Sequence, residues 1–341
     1  MKAVAYRQNL PIDREESLLD IDLPDPEPGE RDLLVEVCAV SVNPVDVKIR
    51  AHARPEPGQA RVLGWDASGV VRAVGAKVTL FKPGDAVWYA GALNRPGTNS
   101  ALHRVDERLV ARKPATLGHA DAAALPLTAI TAWELLFDRL RVQHADPAQP
   151  QHLLVIGGAG GVGSILIQLA RQLTGLTVIA TASRPETREW VLRQGAHHVV
   201  DHTRPLASEI AALGLGPVQY VASLTHTDSH LAQIAELIAP QGALALIDDP
   251  AALDVVPFKR KSVSVHWEFM FTRSMFETAD MAAQHRLLTR VADLVDAGVL
   301  RTTAARHGGT IGAANLRRAH ALLESCLLYT SPSPRDKRQS R

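Results

Sequence analysis

The run Leu153-Leu-Val-Ile-Gly-Gly-Ala-Gly-Gly-Val-Gly-Ser-Ile-Leu-Ile-Gln-Leu-Ala170 constrains this chain more than any other stretch. Its apolar start, Leu153 to Ile156, reads as a buried parallel strand. Apolar residues return at helical spacing with Ile165, Leu166, Leu169 and Leu173. Between the two lies Gly158-x-Gly160-x-x-Gly163, after a strand and opening a helix, which is the context a dinucleotide fingerprint requires. Such glycines allow a tight turn, close approach of a pyrophosphate and close packing of helix on strand. The free N–H groups of the helix N-terminus then face the phosphates. Gly158, Gly160, Gly161, Val162 and Gly163 are therefore candidate cofactor contacts. The competing reading is an ordinary glycine-rich turn, and the flanks on both sides count against it.

Around this turn the chain changes character. Residues up to about 124 read as β-rich, with β-branched runs at Leu33–Val40 and Ser68–Val74 and a Pro-Gly turn feeding a strand toward Trp88. From about 125 strands and helices alternate, which implies a parallel sheet. Thr177–Thr181 is the second strand of that unit, and a helix follows with Pro185 in its first turn and Gly195 past its end. Strands continue at His198–Asp201, Val218–Leu224 and Ala243–Asp248. Helices are expected over about Leu231–Ile238 and over Met281–Ala297, the latter stopped by Gly298. The length of 341 residues suggests two domains.

The formal net charge of +1 gives no reason to expect a nucleic-acid or membrane partner. No run of about eighteen apolar residues stands out as a membrane span, and the N-terminus lacks the pattern of a signal peptide. Cys38 and Cys326 make no disulfide framework, so a cytoplasmic setting is expected. Residues 326–341 break abruptly from the helical pattern before them and resemble the conceptual translation of a transposase adapter used in sequencing libraries. They are expected to be non-native. Without them the chain holds 33 basic and 35 acidic side chains, a net of −2.

The nucleotide can be read from the end of the second strand, where NAD-binding units usually place an acid for the ribose 2′-hydroxyl. Here that place reads Thr181-Ala182-Ser183-Arg184. A carboxylate would repel a 2′-phosphate, whereas a hydroxyl and a guanidinium would bind it by charge-assisted hydrogen bonds. NADPH is expected over NADH, with Ser183 and Arg184 as phosphate contacts and Arg188 in support. An exposed helix start is the other use for these arginines.

Several motifs together resemble a medium-chain dehydrogenase/reductase of the quinone-oxidoreductase branch, most of all the group called zinc-type alcohol dehydrogenase-like proteins. They are Val42-Asn-Pro-Val-Asp-Val-Lys48, Leu63-Gly-Trp-Asp-Ala-Ser-Gly-Val-Val71, Ala124-Leu-Pro-Leu-Thr-Ala-Ile-Thr-Ala-Trp-Glu134, the glycine turn, Leu224–His230 and Phe258–Glu268. The resemblance implies an α/β chain. A GroES-like β-barrel catalytic domain would span 1–124, with 269–325 returning to it, and a Rossmann doubly wound parallel-sheet domain would span 125–268. It places the nicotinamide in the cleft between them and implies a homodimer. It puts Asn43 and Asp46 beside substrate and nicotinamide, Thr131 at the nicotinamide amide and Leu224 among the cofactor contacts. Lys48 stands where many quinone reductases carry Tyr, and it can donate a hydrogen bond or proton to a substrate oxygen. Asn43 and Asp46 serve equally as turn residues, and Lys48 equally as an ion-pair partner of Asp46.

The resemblance also raises zinc. Zinc members of the family take the first catalytic ligand at what is here Asn43, read Gly-His-Glu where this chain has Gly64-Trp65-Asp66, and take the third ligand in Pro126-Leu-Thr. Without thiolates or imidazoles at those positions no zinc is expected. His226-x-x-x-His230 has metal-ligand spacing but no third ligand, and His197, His198 and His202 read as a strand end. Trp65, Trp267 and Phe271, with Phe276, are candidates for an apolar substrate wall, against the commoner alternative of core packing.

With no Lewis acid, hydride transfer suits quinones and α,β-unsaturated carbonyls, because conjugation spreads the developing charge onto an oxygen that a few donors stabilise. The expected function is therefore an NADPH-dependent, zinc-independent oxidoreductase acting on a small electrophilic molecule. The alternatives are a zinc alcohol dehydrogenase and a non-catalytic NADPH-binding sensor or scaffold.

Overall fold

The computed structural model describes residues 1–142 and 150–325; the suspected adapter-derived tail, 326–341, lies outside them. The chain forms two compact units, one of Met1–Ile130 with the described residues from Phe271 onward, the other of Thr131–Met270.

The first unit is built on antiparallel strands. β1 (Lys2–Tyr6), β2 (Leu19–Asp22) and β4 (Arg61–Val62) form a small sheet in the order β2-β1-β4. β3 (Asp32–Val40), β5 (Asp66–Val74), β6 (Ala86–Ala90), β7 (Leu102–Asp106) and β8 (Val110–Arg112) form a larger one in the order β7-β3-β5-β6-β8. Leu33, Val35, Ala67, Val71, Val87 and Tyr89 share one buried cluster, as expected when alternate side chains of a half-buried strand turn inward. Helix α1 (Pro44–His52) interrupts the region expected to be β-rich. Pro44 occupies its first position, where a missing N–H costs nothing and the fixed φ suits a helix start.

Helices α2 (His119–Ala123) and α3 (Pro126–Trp133) lead out of this unit. α3 passes into a π-helical turn, Glu134–Arg139, closed by Leu140 N donating to Leu135 O at 2.9 Å. The helical run His119–Arg139 has the length and composition of a membrane span, yet 72% of its apolar 18-residue window is buried, as in a core helix.

The second unit is a parallel sheet of β9 (His152–Ile156), β10 (Thr177–Thr181), β11 (His198–Val200), β12 (Val218–Ser223), β13 (Ile238–Leu246) and β14 (Ser264–Trp267). Its order is β11-β10-β9-β12-β13-β14. Every residue of β9 is buried, the mark of a central strand covered on both faces. The connecting helices are α4 (Gly161–Leu173), α5 (Pro185–Gln194), α6 (Leu206–Ala211) and α7 (Thr227–Leu237). β10 and the ends of α5 fall where the sequence puts them, with Gly195 at φ 113° closing the helix. α7 begins earlier than expected because the Asp248 carboxylate accepts from Thr227 N at 2.8 Å and so supplies a cap from another strand end. Three helices, α8 (Thr272–Met275), α9 (Ala283–Asp296) and α10 (Ala313–Glu324), belong to the first unit. Gly298, at φ 71°, follows α9 as expected.

Candidate nucleotide site and candidate substrate residues

The turn after β9 has the shape its glycines predict. Gly157 sits at φ 83°, and its N–H donates to Thr181 Oγ1 at 3.0 Å, tying the turn to the end of β10. A Cβ on Gly163 would lie 2.5 Å from Gly157 O and 2.6 Å from Gly158 O. One on Gly158 would lie 2.9 Å from the Ala180 Cβ. Backbone fills that space at Gly163, and the Ala180 side chain fills it at Gly158. Gly160 is the N-cap of α4 and supplies no side-chain cap, so the amides of Gly161, Val162 and Gly163 stand without an intrahelical partner. A pyrophosphate fits there, since bare amides at a helix N-terminus attract an anion. Leu224 follows β12 beside the turn, its N–H donating to Ile156 O at 3.1 Å.

At the end of β10, Thr181 and Ala182 are buried and the first of them is spent on the turn. Ser183 and Arg184 are half-buried, Arg184 serving as the N-cap of α5. Arg188 donates Nη1 to Ala182 O and Nη2 to Val199 O, both at 3.2 Å, so those two donors brace the strand ends. His202 lies close enough to Arg184 and His226 to feel their charges, and burial first, then those charges, holds it below the usual imidazole range. His230 is lowered by burial and by His202 and His226. These histidines gather at one end of the sheet, yet among the described residues no group of three or more His, Cys, Asp or Glu is placed to hold a metal ion.

In the first unit the candidate residues of α1 meet an unexpected partner. Asn43 is the N-cap of α1 and Asp46 its third residue, and the two form a capping box in which Asn43 N donates to Asp46 Oδ2 at 2.8 Å. Asn43 Nδ2 donates to Asp66 Oδ2 at 2.8 Å, and Asp66 Oδ1 accepts from Leu127 N, near the start of α3, at 2.7 Å. Both carboxyls are fully buried, and Asp46 Oδ1 has no hydrogen-bond partner. Burial pushes Asp46 up to about 7 against the amides beside it. Asp66 is pushed up to about 8, again by burial. Its hydrogen bonds from Asn43 and Leu127 oppose the rise and the charge of Asp46 adds to it. Asp46 therefore serves as a buried cap, whereas Lys48, two residues on, is exposed. Thr131 is 5% exposed, one turn beyond Leu127 on α3.

The donor chemistry at these positions can be compared with what zinc needs. Asn43 turns an N–H toward Asp66, both oxygens of Asp66 already accept, and Trp65 spends its Nε1–H on Ala92 O at 3.2 Å. A zinc ion needs lone pairs from thiolate, imidazole or unsaturated carboxylate oxygens, and these side chains do not fit it.

The aromatic candidates differ in burial. Trp65 and Phe271 are 1% and 2% exposed and meet edge-on with centroids 6.0 Å apart, a core contact. Trp267, on β14, is 54% exposed and donates to Asp248 O at 3.4 Å; Phe276 is 73% exposed. The second unit also holds a buried acid pair that no local motif marks. Glu134, on the π-helical turn, and Glu268, just after β14, are 1% and 2% exposed. Arg139 Nε donates to Glu268 Oε2 at 2.7 Å, and Arg139 Nη2 lies 4.0 Å from Glu134 Oε2. Burial and the Glu134 charge push Glu268 up to about 9 against Arg139. The one signal available was an acid inside an apolar helix, and nothing in sequence order joined it to a residue so far along the chain.

An antiparallel-sheet unit and a parallel-sheet unit with a glycine turn at its first crossover are the two parts of the two-domain dehydrogenases. Residues 29–124 match the alcohol dehydrogenase GroES-like domain, and residues 161–284 match the zinc-binding dehydrogenase domain. The chain is 39% identical over 331 residues to a zinc-type alcohol dehydrogenase-like protein of Staphylococcus aureus (strain MSSA476), covering 95% of this chain and 96% of that one. It superposes with a TM-score of 0.93, at 60% identity, on the crystal structure of a Rhizobium etli CFN 42 protein described as a zinc-dependent alcohol dehydrogenase. That match covers 96% of this chain and 95% of the other. An NADPH-dependent alkenal/one oxidoreductase of Arabidopsis thaliana is 38% identical over 191 residues, 52% of this chain and 47% of the relative. The chain belongs to the medium-chain dehydrogenase/reductase superfamily, and its two units are a GroES-like domain and a Rossmann-type domain. It is an oxidoreductase of that family.

Proposed function

We propose that this chain is an NADPH-dependent, zinc-independent oxidoreductase that transfers hydride to quinones or α,β-unsaturated carbonyls. The end of β10 carries the cofactor half of this reading. It has no carboxylate to receive a ribose diol, Thr181 is already committed to the glycine turn, and Ser183 and Arg184 follow with chemistry suited to a phosphate. The amides of Gly161, Val162 and Gly163 would hold the pyrophosphate, and Leu224 and Thr131 would line the path toward the nicotinamide. When bound, the reduced nicotinamide supplies hydride to the β-carbon of a conjugated acceptor, whose electron pair passes to oxygen before water supplies the proton.

The acceptor half rests on the donor chemistry around Asn43. A cluster of amide and carboxyl groups without zinc ligands can offer hydrogen bonds to a developing oxyanion but no Lewis acid. Conjugated acceptors need only the former, and the alkenal/one activity named for the Arabidopsis relative supports the same class. Lys48, exposed on α1, is a further donor within this proposal. The test is oxidation of NADPH, with NADH as control, against quinone, enone, aldehyde and alcohol panels, together with metal analysis of the purified protein. Turnover of quinones or enones with NADPH and without stoichiometric zinc is expected. Zinc-dependent alcohol oxidation, or no turnover of any acceptor, would overturn the proposal.

A further inference from the structure

We infer that His202 is a specificity-determining residue for the cofactor: it takes a proton from solvent when the 2′-phosphate of NADPH settles beside Arg184, so that NADPH binds together with a proton and NADH does not. The inference rests on the NADPH reading above and adds a residue that neither the glycine turn nor the end of β10 supplies. Sheet register brings the two side chains to one place. Thr181 of β10 is paired with Val200 of β11, and Ala182 N donates to Val200 O at 3.0 Å. Arg184 and His202 each lie two residues beyond that bond, on neighbouring strand ends. Arg188 ties the same ends together through Ala182 O and Val199 O. His202 is held at a corner there, since Arg204 N donates to Asp201 O at 3.1 Å and Thr203 N to Asp201 Oδ1 at 2.9 Å.

A second loop closes on this corner from across the sheet. In the order β11-β10-β9-β12 two strands separate β11 from β12, a distance of about 14 Å within the sheet. Yet His202 feels the charge of His226, which follows β12, and His230 on α7 feels both His202 and His226. The loops therefore converge over the carboxyl ends of β10 and β9, where an open parallel sheet binds its ligand. The glycine turn lies against the same loop: a Cβ on Gly157 would meet Thr225 Cγ2 at 3.1 Å, and His226 Nδ1 is bonded to Thr225 Oγ1 at 2.7 Å. His226 keeps that place at φ 51°, a left-handed backbone that side chains rarely adopt. Three imidazoles and a guanidinium at one end of the sheet make a place for an anion. The acids nearby are already engaged. Asp201 accepts from Thr203, Asp248 caps α7 through Thr227, Asp228 accepts from Ser229 N, and Glu209 accepts from Asp201 N beside Arg204. Burial first, with the charges of His226 and Arg184, keeps His202 below the usual imidazole range against the pull of Asp201. A phosphate dianion beside Arg184 reverses that balance, because it offsets the guanidinium and attracts the imidazolium. NADH carries a hydroxyl at the same position and cannot do so.

The test is calorimetric titration of the unaltered protein with NADP⁺ and with NAD⁺, at about pH 7 in PIPES and again in Tris, whose different ionisation heats reveal the protons exchanged. NADP⁺ should take up about half a proton or more beyond NAD⁺. Full linkage of one proton changes Kd about tenfold per pH unit, so Kd for NADP⁺ should rise about fivefold or more between pH 6.5 and pH 8, while that for NAD⁺ stays within about twofold. The sign separates this from the ligand's own chemistry. The second ionisation of a phosphate ester, near pH 6, strengthens binding as pH rises and gives the opposite slope. His202→Gln keeps a hydrogen-bond donor but cannot titrate there, so the extra uptake should vanish and Kd for NADP⁺ should stay near its wild-type value at pH 8 throughout. No extra uptake in the wild type, or uptake that persists in His202→Gln, would overturn the inference. The wild-type titrations stand by themselves if the variant folds poorly. Wild-type protein that binds NAD⁺ as tightly as NADP⁺ at pH 6.5 would remove the NADPH reading and this inference with it. A preference for NADP⁺ that holds unchanged across the pH range would remove this inference alone.

Discussion

Adding one methyl group to Gly163 tests whether the turn after β9 is a phosphate cradle. In Gly163→Ala the new Cβ would start 2.5 Å from Gly157 O and 2.6 Å from Gly158 O, where ordinary contact begins at 3.4 Å. Both obstacles are backbone, so the turn and the start of α4 must separate by roughly 0.9 Å, at an overpacking cost of about 1–3 kcal/mol. That movement also carries the amides of Gly161 and Val162 out of line with a pyrophosphate. Losing one charged hydrogen bond of this kind costs about 1.5–3 kcal/mol, or about 10- to 150-fold in Kd. The assay is NADPH fluorescence titration beside thermal melting. The control is Gly308→Ala, where a Cβ meets nothing within 4 Å and neither binding nor stability should suffer. A Gly163→Ala protein that binds NADPH within twofold of wild type would refute the cradle, whatever its melting temperature.

Other consequences can be checked in the same preparations. Arg184→Ala should raise the KM for NADPH about tenfold, the loss of roughly 1.4 kcal/mol expected for a charge-assisted contact, and leave that for NADH unchanged; equal effects on both would remove the 2′-phosphate role. Asp46 and Asp66 have folded values raised to about 7 and about 8, so the folded state holds their protons more tightly than the unfolded chain. Their contribution is therefore fully present at acid pH and is lost as pH rises through 7–8. Melting temperature should fall from pH 6 to pH 9, and Asp66→Asn should flatten that fall. Arg139→Met removes the cation that serves Glu268 and reaches Glu134 and should destabilise the protein, more at pH 8.5 than at pH 6, where Glu268 holds its proton, as judged by denaturant unfolding.

What could be read from the sequence follows from the range over which its signals act. The limits of β10, the Pro185 start and Gly195 stop of α5, and the glycine turn are decided within a few residues by backbone sterics and free amides, and they emerge where expected. Helix α1 was hidden because Asn-Pro signals turns as readily as helix starts. The Asn43-x-x-Asp46 spacing of its capping box was the clue that separates the two. α7 was placed too late because its cap is Asp248, a residue from the end of another strand. The candidate site shows the same division more sharply. Asn43 and Asp46 form a local motif, but the carboxyl that receives the Asn43 amide belongs to Asp66. The group that fixes Asp66 is in turn the backbone of Leu127. Each of those links spans a strand or a helix and leaves no periodic trace. A buried carboxyl also looks like any surface acid until the fold removes its water. Once that water is gone, the acid either holds a proton or gathers donors. Asp66 does both: Asn43 and Leu127 donate to it, and burial still raises it to about 8.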